Sequence, residues 1–183
     1  MTRYWYLVAS LPSIAPGAPP PMTTQRFRTL CSEHLVPKDL VEFDAVLAGG
    51  GRSGFARAWV TADVQIRNAI ARARAARHGV DAERFVRPSD AWDLTLARRV
   101  QDALSAQDPG ERERQLDDLR CDVARELARA EPFSLETVLA YAIELAIVER
   151  RAARDVVRGR AALALQLDAL VSASPQSAPP NSA

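Results

Sequence analysis

A thiol and an imidazole lie three positions apart near the N-terminus, at Cys31 and His34. In a helix this spacing places both groups on one face, where they could form half of a metal site or a nucleophile with its base. A zinc site needs four ligands at regular spacing, and the remaining candidates, Cys121 and His78, do not form a pair. We therefore predict a buried thiol beside an edge histidine, with no metal, no cofactor and no catalytic residue.

A second chemical candidate is the glycine-rich stretch AGGGRSG at 48–54, which precedes a predicted helix. Backbone amides at such a position could hold an anion. A phosphate-binding P-loop would require G-x-x-x-x-G-K-[ST] after a strand, and this sequence supplies neither the lysine nor the strand. The stretch is therefore predicted to end one helix and to begin the next.

A third candidate is the charged run ERERQLDDLRCD at 111–122, in which residues of opposite sign recur at three or four positions. This spacing predicts pairing within one helix. The pairs are Glu111 with Gln115, Arg114 with Asp118, and Asp117 with Arg120. A solvated helix face and a partner-binding face are both open interpretations. Because no set of reactive groups converges, we expect the protein not to be an enzyme.

Helical periodicity extends through almost the whole chain, which predicts an all-α fold. Start signals precede most of the periodic segments, and glycines end two of them. The start signals are Thr23, Pro37, Ser89, Asp108-Pro109 and Ser134, and the stop signals are 49–51 and Gly79. The stretch LAYAIELAIV at 139–148 is apolar on most sides, so it should be the buried axis of the bundle.

These elements predict an elongated helical bundle that forms a single domain over residues 1–171. The Pro-rich segment 12–21 is a connector within this domain, because proline cannot continue a helix. Residues 172–183 have the composition of a disordered tail. The apolar run YWYLVA at 4–9 is too short to span a membrane, which takes about twenty residues, and a cleavage site does not follow it. We predict that this run is core.

Charge and cysteine content restrict the location and the partners. The chain of 183 residues has 24 basic and 23 acidic side chains, so its net charge of +1 suggests no general affinity for nucleic acid. Its two cysteines lie far apart, which fits a reducing cytosol. We expect a cytoplasmic protein without direct insertion into the membrane.

Four strings occur together in one order: YWYLVASLP at 4–12, IRNAIARARAARHG at 66–79, DPGERERQLDDLR at 108–120 and FSLETVLAYAIELAIVERR at 133–151. Together they resemble an uncharacterised bacterial family whose genes lie among those for V-type ATP synthase subunits. In those gene clusters the family takes the place of the helical C subunit of the central stalk. The sequence departs from the family pattern at Cys121 and Arg151, where family members tend to carry tryptophan.

The resemblance implies a non-catalytic subunit or accessory protein of a V-type ATP synthase, similar to the C subunit that links the stalk to the membrane rotor. Its partners would be stalk or rotor subunits, and it would lie at the inner face of the membrane through the ATP synthase. A free-standing helical adaptor or scaffold, without any connection to the ATPase, is the alternative.

Candidate partner-binding residues lie on the charged faces of the predicted helices. They are Arg67, Asn68, Arg74, Arg77, Arg120 and Arg150. Rim charges of this kind tune association rate and salt dependence more than final affinity. For Arg67 and Asn68 the alternative is that they fasten helix ends inside the bundle.

Overall fold

The computed structural model of the chain describes residues 4–15, 17–89, 93–154 and 165. Across these residues the regular structure consists of seven α-helices and one short 3-10 helix, with no strand. This confirms the predicted all-α class. The α-helices are α1 (Trp5–Ser10), α2 (Thr24–His34), α3 (Pro37–Leu47), α4 (Gly54–His78), α5 (Leu94–Ser105), α6 (Pro109–Ala128) and α7 (Leu135–Ala152), and the 3-10 helix is Ala82–Arg84.

The chain divides into two compact units, residues 1–149 and 150–183. Only a few residues of the second unit are described, so the single domain over 1–171 and its elongated shape stay predictions. The predicted tail at 172–183 lies outside the described residues. No helix of the described chain combines the length and the apolar character needed to cross a membrane.

Helix starts follow the predicted capping residues at three places. The hydroxyl of Thr23 accepts from the amide of Arg26 at 3.1 Å, and a carboxylate oxygen of Asp108 accepts from the amide of Glu111 at 2.7 Å. Pro37 is the first residue of α3. Each capping side chain accepts from an amide that has no partner within its helix. Pro37 and Pro109 lie in the first turn, where a backbone amide would have no helical partner, so the missing amide hydrogen costs nothing.

Two predicted caps are wrong. Helix α5 starts at Leu94 rather than after Ser89, because the carboxylate of Asp93 accepts from the amides of Thr95 and Leu96 at 2.8 and 3.1 Å. At α7, the Ser134 hydroxyl is buried and forms no hydrogen bond with the described residues. The Ser134 amide instead closes a turn onto the carbonyl of Glu131 at 3.2 Å.

Helix α7 forms the buried axis of the first unit, as predicted. Leu139, Ala142 and Leu145 are fully buried along it. The Tyr141 ring meets Phe27 of α2 edge-on at 4.9 Å, and Phe27 meets Phe43 of α3 at 5.6 Å. Elsewhere α4 packs on α5 and α6, which also pack on each other. The core therefore depends on α7 being covered from several sides.

The prediction that the N-terminal run is core holds for only part of it. Tyr4 and Leu7 are buried, whereas Trp5 is 53% and Tyr6 76% exposed. Tyr4 anchors the segment, since its amide donates to the carbonyl of Phe133 at 2.7 Å and its hydroxyl to Asp39 at 2.5 Å. Helix α1 therefore lies on the core through one face and leaves its aromatic face outside.

Replacing Leu7 by Ala tests this packing. We expect the free energy of unfolding to fall by about 2–5 kcal/mol, because Leu7 is 1% exposed and its removal leaves a cavity. The matched variant Tyr6→Ala should change it by less than about 0.5 kcal/mol, as is usual for surface sites. Urea unfolding followed by circular dichroism measures both. Equal midpoints for the two variants would contradict the packing of α1.

Candidate functional site

One buried carboxylate and its arginine connect three helices. The Arg125 guanidinium on α6 donates to both carboxylate oxygens of Glu144 on α7, at 2.9 and 2.8 Å. Burial raises the pKa of Glu144, and the hydrogen bonds from Arg125 offset part of that rise. Arg125 also donates to Asp122 at 3.0 Å, which in turn accepts from Arg99 of α5 at 2.9 Å. All four of these charged side chains are therefore paired with one another within the first unit.

A second group of charges joins α4 to α6. Asp63 accepts from the Nε atoms of Arg67 and Arg120, at 2.6 and 3.3 Å. Arg120 also lies 3.5 Å from Asp117, and the Gln115 side-chain amide donates to Glu111 at 3.0 Å. These contacts confirm two of the pairs predicted within α6. The Arg120 side chain is only 16% exposed. Arg120, one of the six predicted contact residues, therefore joins α6 to α4 within its own chain.

Asn68 is likewise engaged within the unit. It is 4% exposed, its Nδ2 donates to the carbonyl of Arg87 at 2.9 Å, and its Oδ1 accepts from the amide of Arg87 at 2.8 Å. This arrangement matches the alternative predicted for Asn68 from the sequence, in which its side chain fastens the chain inside the bundle. Its partner lies 19 residues further on, in a segment without periodicity, so no local signal in the sequence marks the pair.

The other four predicted contact residues are exposed. On α4, Arg67 and Arg74 lie seven residues apart and thus on one face, about 10 Å apart along the axis. Arg74 lies 3.4 Å from Glu113, a long and exposed ion pair that adds little stability. Arg77 lies in the last turn of α4 and has no ion pair with the described residues. Arg150 lies in the last turn of α7, within the second unit.

The glycine-rich loop holds a carboxylate of its own chain. Glu42 accepts from the amide of Ser53 at 2.7 Å and from that of Arg52 at 2.8 and 3.0 Å. Burial alone would raise the pKa of Glu42, but these amide hydrogen bonds hold it below its usual range. At Gly51, which has φ 117°, a Cβ would lie 2.5 Å from that of Ala56. The loop thus joins α3 to α4, as predicted, with Glu42 seated in it.

The thiol of Cys31 and the imidazole of His34 lie in different environments. Cys31 is fully buried, and burial raises the pKa of its thiol to about 12, so the thiol stays protonated at neutral pH. The His34 ring instead lies 5.6 Å from the ring of Tyr6. No group of three or more histidine, cysteine or carboxylate side chains suited to a metal occurs among the described residues.

Arg125→Leu tests whether Glu144 depends on its arginine. At pH 7.5 we expect a loss of about 2 kcal/mol, because a buried carboxylate loses a charged hydrogen-bond partner whose own side chain is half exposed. Without Arg125 the interactions that oppose the effect of burial are lost, and the pKa of Glu144 rises further. The folded variant therefore takes up the proton at higher pH than the folded parent protein does, so the deficit is present at high pH and shrinks as the pH falls.

Urea unfolding at pH 7.5 and 5.5 measures this effect. The deficit of Arg125→Leu relative to the parent protein should shrink at the lower pH. The control is Arg114→Leu, which removes an exposed pair within one helix, Arg114 with Glu111, and should cost less than about 0.5 kcal/mol at both values. A deficit that stays constant with pH would contradict a charged, buried Glu144.

Comparison with known proteins places the chain in a family. Residues 47–171 match a family described as a protein of unknown function (DUF2764). No curated protein matches the chain, and no solved structure does either. The match covers more than half of the sequence, including α4, α5, α6 and α7. The chain therefore belongs to the DUF2764 family.

Proposed function

We propose that the chain is a non-catalytic subunit or accessory protein of a bacterial V-type ATP synthase, a C-subunit-like link between the stalk and the membrane rotor. It would bind stalk or rotor subunits and lie peripherally at the inner face of the membrane. One observation carries the proposal: the four strings at 4–12, 66–79, 108–120 and 133–151 resemble, in order, a family encoded among the genes for these subunits.

The positions of these strings support the proposal. The string at 66–79 is the second half of α4, the one at 108–120 begins α6, and the one at 133–151 contains nearly all of α7. The string at 4–12 contains Tyr4, whose amide donates to the carbonyl of Phe133, just before α7. The resemblance thus concerns the helical framework itself rather than one short motif, which favours a shared architecture.

The state of the reactive groups also favours binding over catalysis. Glu144 is bound by Arg125, and the Cys31 thiol is buried and protonated. By contrast, Arg74 and Arg77 present their charges to solvent on the last turns of a 25-residue helix. Exposed cations on a rigid helix are suited to guiding a partner into contact, which makes association dependent on salt.

A reconstituted mixture of stalk subunits tests the proposal. The tagged chain should retain at least one rotary ATPase subunit at low salt, and capture should weaken as salt screens the charges. Arg74→Glu with Arg77→Glu should slow capture several-fold without changing the helical circular dichroism signal. The control, Arg26→Glu with Arg98→Glu, makes the same charge change at exposed positions on α2 and α5.

Native membranes supply the second arm of the test. If the tagged chain retains no rotary ATPase component from either source at low salt, the assignment fails and the free-standing adaptor takes its place. If the control variant loses capture as much as the α4 variant, the contact does not lie on this face.

A further inference from the structure

Helix α1 is attached to the first unit through very little buried surface. It buries one residue of six, Leu7, whereas α7 buries eight of its 18 residues. Tyr4, just before α1, is the other buried residue among the described positions 4–15 and 17–23. Because stabilisation by apolar burial grows with the area removed from water, α1 is held much more weakly than α7.

A few specific contacts close residues 4–12, which we call the strap, over the start of α7. The Tyr4 amide donates to the carbonyl of Phe133 at 2.7 Å, and the Tyr4 hydroxyl donates to Asp39 of α3 at 2.5 Å. The Trp5 ring stacks on that of Phe133, with the ring centroids 4.1 Å apart. All of these contacts join the strap to other elements, so they can be lost without breaking a contact within α2 to α7.

The connector that follows the strap has little buried surface of its own. At the end of the strap the Tyr141 hydroxyl donates to the carbonyl of Pro12 at 3.0 Å. From there to Thr23 none of the described residues is buried. The amide of Thr24 then donates to Glu149 at 2.8 Å and fixes the start of α2. A change in the course of the connector therefore removes no fully buried side chain from the core.

Helix α1 depends on closure of the strap. It has six residues, and isolated helices shorter than about 12–15 residues are marginal in water. Its hydrogen bonds, such as that from the Val8 amide to the Tyr4 carbonyl at 3.0 Å, should therefore be lost when the strap detaches. The conformational entropy gained by the detached residues offsets part of the lost contact energy. Segments with few buried contacts are those that open below the free energy of global unfolding.

We propose that the strap opens and recloses over the start of α7 while α2 to α7 stay folded. Opening uncovers the ring of Phe133 and the apolar site that holds Leu7, so the chain itself controls access to this surface. The proposal goes beyond the proposed function, because it concerns a change within the chain and holds whichever protein the chain binds.

Native-state hydrogen exchange of the full chain, followed by NMR, tests the strap. The amides of Val8 and Leu11 report on the strap, and those of Ile143 and Leu145 report on α7. The strap amides should be protected relative to an unstructured peptide, yet exchange about a hundredfold or more faster than the α7 amides. Their exchange should also depend less steeply on urea, since opening of the strap exposes far less surface than global unfolding does.

Three variants separate the strap from the bundle. Tyr4→Phe removes the hydrogen bond to Asp39 and should speed strap exchange about tenfold, as expected for a bond to a charged group. The matched control Tyr6→Phe removes an exposed hydroxyl from the same helix and should leave strap exchange unchanged. Val100→Ala leaves a cavity under α5, where Val100 is fully buried, and should speed exchange of the α5 amides about tenfold or more.

Strap exchange in Val100→Ala decides the matter. A cavity under α5 raises the free energy of the closed state and of the open-strap state equally, so strap exchange should stay at the parent rate. If Val100→Ala speeds the strap and α5 by the same factor, or if strap and α7 amides share one rate and one urea dependence, the strap opens only on global unfolding and the proposal fails. Strap amides that exchange like an unstructured peptide, or that do not respond to Tyr4→Phe, would overturn it as well.

Discussion

Burial of Glu144 within α7 is the constraint on which much of the first unit depends. Helix α7 is apolar on most sides, so neighbours must cover it, but one of its buried positions is a carboxylate. A buried carboxylate is costly without a hydrogen-bonded cation. Arg125 satisfies this requirement from α6, and because Asp122 bridges Arg125 to Arg99, α5 is drawn into the same arrangement. Aromatic packing thus joins α7 to α2, while ion pairing joins it to α6 and, through Asp122, to α5.

The N-terminal residues are tied to α7 at several points along its length. Tyr4 bonds to Phe133 just before the helix, Tyr141 donates to the carbonyl of Pro12 at 3.0 Å, and Glu149 accepts from both the amide and the hydroxyl of Thr24. The Pro-rich connector between these anchors cannot satisfy its own backbone by helix formation. Contacts with α7 supply the fixed points, so a segment with little regular structure still follows a defined course.

The sequence predicts the features of this fold that depend on a few neighbouring residues. Thr23, Asp108 and Gly79 act within three or four positions of themselves, and the structure confirms each. The prediction for Ser89 failed because Asp93, four residues later, caps α5 instead. The pair of Asn68 with Arg87, and the seating of Glu42 in the glycine-rich loop, depend on the chain folding back, and no periodicity records that.

The same distinction separates the arginines that hold the fold from those available to a partner. Arg120 and Arg125 form ion pairs with carboxylates of neighbouring helices, so their charges stabilise contacts within the bundle. Arg77 and Arg84 lie where the chain turns away from α4, and exposed charges there remain free to act on another molecule. Asn68 is buried and holds the backbone of Arg87, two residues from the exposed Phe85. A buried side chain of α4 therefore fixes the course of an exposed segment.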